Sequence, residues 1–169
     1  MTFPEINNPV EYAQGHGNAW LAEMAALRRI ALPPLGSGPE EYRAALIEAR
    51  GKLDRVEEIL GQTLRMRGGM QRRAVQCEQA AEDRWNQLAD EARRTGHTSR
   101  DYEGAKERYA SFTVRCMDEI RMARQWRLAA DLAADLVERA RTTHFGLKDV
   151  RGELIEHLRA FVLESNLDR

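Results

Sequence analysis

Apolar residues recur every seven positions along most of this chain. Over residues 39–94 one series reads Leu46, Leu53, Leu60, Arg67, Ala74, Ala81 and Leu88, and a second, offset by three, reads Ala49, Val56, Thr63, Met70, Cys77 and Arg84. Two interleaved series with that offset are the a and d positions of a coiled-coil seam. They predict one long helix from Pro39, a residue suited to the first helical turn, to about Arg94. Gly68 and Gly69 fall inside it. Each glycine costs about 1 kcal/mol in a helix interior, so a kink or a close helix approach is expected there rather than a break.

A second pair of series reads Tyr102, Tyr109, Cys116, Ala123, Ala130 and Val137, with Ala105, Phe112, Glu119, Trp126, Ala133 and Ala140. It predicts a second long helix over 99–141. Between the two lies Thr95-Gly96-His97-Thr98, where Gly96 can supply a left-handed C-cap and Thr98 with Asp101 a capping pattern. Two seams joined by a short turn predict an antiparallel, coiled-coil-like hairpin. Thr142-Thr143-His144-Phe145-Gly146 reads as a break, followed by a last helix over 147–164 with Leu147, Val150, Leu154, Leu158 and Phe161 on one face.

Ahead of the hairpin, residues 1–16 read as an irregular arm. Trp20, Met24, Leu27 and Ile30 mark a short amphipathic helix over 17–31, stopped by Pro33 and Pro34. Gly36-Ser37-Gly38-Pro39 is a linker of turn-formers. The expected organisation is therefore all-α, with residues 1–38 as an N-terminal arm carrying a short helix and 39–169 as a single domain. A helix of some 55 residues is roughly 80 Å long, and two such helices do not bury all their apolar faces on each other. Self-association into a symmetric homo-oligomer, such as a ring, is the expected solution.

Composition agrees with long helices: charged residues make up 31% and aromatics only 7%. The net charge of −1 leaves no global field to draw in nucleic acid or membrane, so any DNA-binding surface has to be a local patch. The longest apolar stretch falls short of the roughly 18–20 residues a membrane span needs. Cys77 and Cys116 lie on apolar seams outside any metal-ligand spacing, which suits buried free thiols in a reducing cytoplasm.

The sequence carries no phosphate-binding glycine loop, dinucleotide fingerprint or nucleophile elbow, and His16, His97, His144 and His157 are scattered. A non-catalytic protein without cofactor or metal is expected. One feature departs from a uniformly mixed charged surface. Ile59 to Cys77 holds no acidic residue but includes Arg65, Arg67, Arg72 and Arg73, and Ile120 to Ala130 is likewise acid-free and holds Arg121, Arg124 and Arg127. A hairpin folded about residues 96–97 would bring the two windows level, making one positive belt around Trp126. Arginines contact phosphates and stack on bases, and an exposed aromatic would add a platform for single strands. The plainer alternative makes these solvated arginines of an arginine-rich composition and Trp126 a core residue, which its heptad position favours.

The second half of the chain resembles the UvsY family, recombination mediators of tailed phages. The likeness lies in Asp101-Tyr102-Glu103 opening a long helix after a polar turn, in Phe145-Gly146-Leu147-Lys148-Asp149-Val150, and in a close on Ile155, Leu158-Arg159-Ala160-Phe161 and Glu164. It covers about residues 45–165, while residues 1–38 have no counterpart and the family's basic residues do not align one for one. The resemblance implies an all-helical oligomeric ring that binds single-stranded DNA and loads a recombinase onto strands coated by single-strand-binding protein. The alternative expectation is a phage scaffolding or assembly-chaperone coiled coil that binds protein and not DNA.

Overall fold

A computed structural model describes residues 6–34, 36–94 and 114–167. Among the described residues there are three helices and no strand: α1 (Pro9–Leu27), α2 (Pro39–Arg94) and α3 (Met117–Leu167). The fold is all-α.

Helix α2 has the bounds its heptads predict. The Gly38 N–H donates to Glu41 Oε2 at 2.7 Å, a carboxylate reaching back over the exposed first turn. Just upstream, Gly36 takes a φ of 90° and the Ser37 N–H bonds the Pro34 carbonyl at 3.0 Å. Only glycine adopts that backbone without strain. The helix runs through Gly68 and Gly69 without interruption.

Two boundaries differ from expectation. Helix α1 begins at Pro9, inside the stretch read as an irregular arm, and ends at Leu27 rather than 31. The cause is a local cap: Asn8 Oδ1 accepts the Glu11 N–H at 3.2 Å, and Asn8 Nδ2 lies 3.3 Å from Glu11 Oε2. The predicted break at 142–146 and the separate last helix do not exist; α3 continues to Leu167. Thr142 and Thr143 return their hydroxyls to the carbonyls of Glu138 and Arg139 at 2.9 Å each, so they add bonds within the helix instead of competing with it. The predicted turn at 95–98 and the helix start at 99–113 lie outside the described residues.

The chain forms two units, to which α2 and α3 each lend a stretch: Met1–Ala13 with Met66–Leu132, and Gln14–Arg65 with Ala133–Arg169. The second unit packs three helices. Met24 of α1 meets Ile59 of α2 and Ala140 of α3. Leu147 of α3 packs on Leu53 and Val56, and Leu154 on Tyr42, Ala45 and Ala49. Rising numbers on α3 thus meet falling numbers on α2, so the pair is antiparallel. Polar ties join the same helices: Arg28 Nε, just past α1, donates to Thr143 Oγ1 at 2.8 Å, Arg55 Nε to Glu23 Oε1 at 2.6 Å, and His144 Nε2 lies 2.9 Å from Glu57 Oε1. Thr63, on the seam, is fully buried because its hydroxyl bonds the Leu60 carbonyl at 2.9 Å.

In the first unit, Leu88 packs on Cys116 beside Trp85, Ala89 and Ile120. Ala74, Ala123, Trp126, Ala129 and Ala130 are buried on the facing seams. This pair too is antiparallel, since Arg115 approaches Glu91 and Arg127 approaches Glu78.

Candidate nucleic-acid interface

The arginines singled out from the sequence fall into three environments. Arg72 and Arg73 are exposed on α2 in the first unit. Their stretch holds no acid, and among the described residues neither makes an ion pair. Arg73 Nη1 reaches only the neutral Gln76 Oε1, at 3.4 Å. Arg72 lies back along the helix, and a Cβ at Gly68 would stand 3.6 Å from its Nη1. Long helical side chains lean towards the N-terminus over the preceding turn, and Gly68 leaves that turn bare. Arg65 in the second unit does the same over Gly61, also at 3.6 Å, and is exposed.

Arg67 behaves differently. It sits on the heptad seam, half-buried, and its Nε is buried with no hydrogen-bond partner among the described residues. A buried N–H of that kind is costly, and the cost explains why a cation at an a position is uncommon. Arg67 contributes to the local positive charge from within the seam rather than from the surface.

The second window is largely neutralised. Arg121 Nη2 donates to Asp118 Oδ1 at 2.9 Å. Arg127 donates through Nε and Nη2 to Glu78 Oε1, at 2.9 and 2.6 Å. Arg124 is exposed and, among the described residues, makes no ion pair. Trp126 is buried, 5% exposed, and offers no stacking face. Its heptad position outweighs the aromatic-platform reading.

The two windows do not coincide. Arg127 opposite Glu78, Cys116 opposite Leu88 and Arg115 near Glu91 centre the antiparallel register of the first unit on residues 102–103, not on 96–97. Arg121, Arg124 and Arg127 therefore stand level with about residues 78–84 of α2, where Glu78, Glu82 and Asp83 lie. A shift of twelve residues is about 18 Å along a helix. The belt becomes a basic stretch on α2 and a mixed-charge stretch further along. Glu78, the first acid after the α2 window, is the residue that sequence reasoning overlooked.

The charge of Arg73 is also felt by Cys77, one turn on. Burial pushes the Cys77 thiol above its ordinary pKa, and the Arg73 cation partly opposes that rise. Among the described residues no group of three or more His, Cys, Asp or Glu is placed to hold a metal ion, and no helix is long and apolar enough to cross a membrane. No protein-family model matches the chain, and no curated protein or solved structure matches it either.

Proposed function

We propose that this chain is a non-catalytic recombination mediator that binds single-stranded DNA as a homo-oligomer and favours recombinase assembly on strands coated by single-strand-binding protein, in the cytoplasm of a phage-infected cell. The observation that carries the reading is the state of Arg72 and Arg73 on α2. Several other arginines are tied to carboxylates, among them Arg43 with Glu40, Arg55 with Glu23 and Glu58, Arg141 with Glu138, and Arg159 with Glu156. Arg72 and Arg73 are exposed in an acid-free stretch, free to meet phosphates. Each phosphate so neutralised releases counterions, and that release drives binding to a flexible strand. A repeated set of such stretches, one per subunit, would organise the strand for recombinase nucleation.

Fluorescence anisotropy with a labelled oligo-dT, titrated over salt with a duplex of equal length as control, tests the reading. Tight single-strand binding that weakens steeply with salt is expected. Changing Arg72 and Arg73 to Ala should reduce the log–log salt slope by about 1.4, at roughly 0.7 for each phosphate no longer neutralised. No binding by the folded protein at low salt would overturn it. The second reading, a scaffolding or assembly-chaperone coiled coil, is favoured by exposed apolar side chains on both units, among them Ile47, Val75, Leu128 and Val162. It predicts no oligo-dT binding and capture of a helical protein partner.

A further inference from the structure

Along α3 in the first unit, Met117, Arg121, Arg124, Leu128 and Asp131 follow one another at intervals of four, three, four and three residues. That spacing sets them on a single stripe of the helix, and all five are exposed. The face towards α2 is a different one, carrying the buried Ala123, Trp126 and Ala130. A second heptad stripe pointing outward is unexpected on a helix whose core face is already satisfied.

The stripe stands between two grooves. Ile120, Arg124 and Leu128 border both; Ala81 and Asp131 help to line one, and Met117 and Gln125 the other. A ridge between two grooves is the relief into which a second helix packs. Leu128 at its middle is 53% exposed and Met117 at its end 55%.

The charges on the stripe say which helix. Arg121 is already satisfied by Asp118, as is Arg127, beside the stripe, by Glu78. Arg124 and Asp131, on either side of Leu128, make no ion pair among the described residues. A parallel copy would set Arg124 against Arg124 and Asp131 against Asp131. An antiparallel copy related by a two-fold axis beside Leu128 sets Arg124 against Asp131 twice over, with the two leucines meeting near the axis. The patch is complementary to itself, as an isologous contact requires, and the matched charges fix register and direction.

We propose that this α3 stripe is an antiparallel two-fold interface between two copies of the chain, held by Leu128 at its centre and by reciprocal Arg124–Asp131 pairs. The interface rests on the homo-oligomer part of the proposed function and is independent of its DNA part. Arg72 and Arg73 are not in it.

Sedimentation velocity on the full chain over a range of concentrations tests it, with circular dichroism to show that each variant is folded. Arg124→Glu alone and Asp131→Arg alone each turn two attractions into two repulsions. Each is expected to weaken self-association by about tenfold or more. A mixture of the two variants restores it. The introduced glutamate of one copy then meets the introduced arginine of the other, while the native Arg124 meets the native Asp131. Leu128→Asp weakens association and is not rescued by either. Wild-type protein that stays monomeric, single variants that associate like the wild type, or a mixture that fails to recover would each overturn the interface. Oligo-dT binding by Arg124→Glu near wild-type strength separates failure of this contact from failure of the DNA reading.

Discussion

Arg127 grips a single carboxylate oxygen of Glu78 with two N–H groups, at 2.9 and 2.6 Å, across 49 residues of sequence. That contact marks how α3 lies along α2 in the first unit, alongside the buried packing of Leu88 on Cys116. It also decides which arginines remain available for a ligand.

The register itself can be trapped. Leu88 packs against Cys116, so Leu88→Cys in a Cys77→Ser background should cross-link to the native Cys116 under mild oxidation or with a short bifunctional maleimide. Peptide mass spectrometry would identify the linked pair. A hairpin folded about residues 96–97 puts position 88 level with 105, and the cross-link would not form.

Core and surface isoleucines should separate cleanly. Ile59 is fully buried between α1 and α3, and Ile47 is 74% exposed. Ile59→Ala should cost about 2–5 kcal/mol in chemical denaturation. Ile47→Ala should fall within about 0.5 kcal/mol of wild type.

Two helical glycines should respond differently to alanine. A Cβ at Gly51 meets nothing within 4 Å, so Gly51→Ala should raise stability by about 1 kcal/mol through helix propensity alone. A Cβ at Gly17 would stand 3.0 Å from Leu136 Cδ1, a side chain that is itself buried. Gly17→Ala should therefore trail Gly51→Ala by about 1 kcal/mol, the lower end of an overpacking cost. Paired thermal melts would measure the gap.

The Cys77 thiol should react slowly. Burial raises its pKa and Arg73 restrains the rise, so at neutral pH its thiolate is scarcer than that of a free cysteine. Iodoacetamide labelling, read by peptide mass spectrometry, should increase only towards alkaline pH. Arg73→Ala should slow it further by removing the restraining charge. Faster labelling in that variant would show that Arg73 does not sit beside the thiol.

Glu23 provides a pH test of the α1 docking. The hydrogen bonds from Arg55 hold its pKa below the ordinary carboxylate value. The stabilisation is therefore present above the unfolded pKa, near ~4.3, and is lost as pH falls through the lower folded value. Melting temperatures of the wild type and Glu23→Gln should differ by a constant, small amount above about pH 5 and converge in acid.

Much of this fold was legible because the heptads are long. The bounds of α2 follow from Pro39 and the interleaved leucine and alanine series. The continuity of α3 was legible too: the series through Trp126, Ala133 and Ala140 carries on at Leu147, Leu154 and Phe161 without losing step. Thr142 to Gly146 looked like a break because threonines and glycine favour turns in isolation. In the helix, the buried Leu147 and the Arg28–Thr143 bond outweigh that preference. The start of α1 was signalled by Asn8-Pro9 with Glu11, masked by Gly15 and Gly17 just behind.

The register was not legible. A heptad seam fits its partner again after each seven-residue slip, so the pattern alone does not say where two helices meet. Only unlike partners break that degeneracy. Arg127 with Glu78 and the buried Trp126 do so, and these pairings require coordinates. The candidate site inherited the error: the two arginine windows are plain in the sequence, but their spatial neighbours depended on a register that the sequence left open.

The sequence separation of the contacts bears on how the chain reaches this structure. The Arg127–Glu78 contact spans 49 residues and the Arg28–Thr143 contact spans 115. Closing the longer loop from an open chain costs about 0.8 kcal/mol more in entropy. The docking of α1 between the long helices is such a distant closure, and its entropic penalty falls if α2 and α3 have already met. Folding should therefore begin where Leu88 meets Cys116 and finish with the docking of Met24. On a ribosome, the N-terminal helix would wait for almost the whole chain before it found its place.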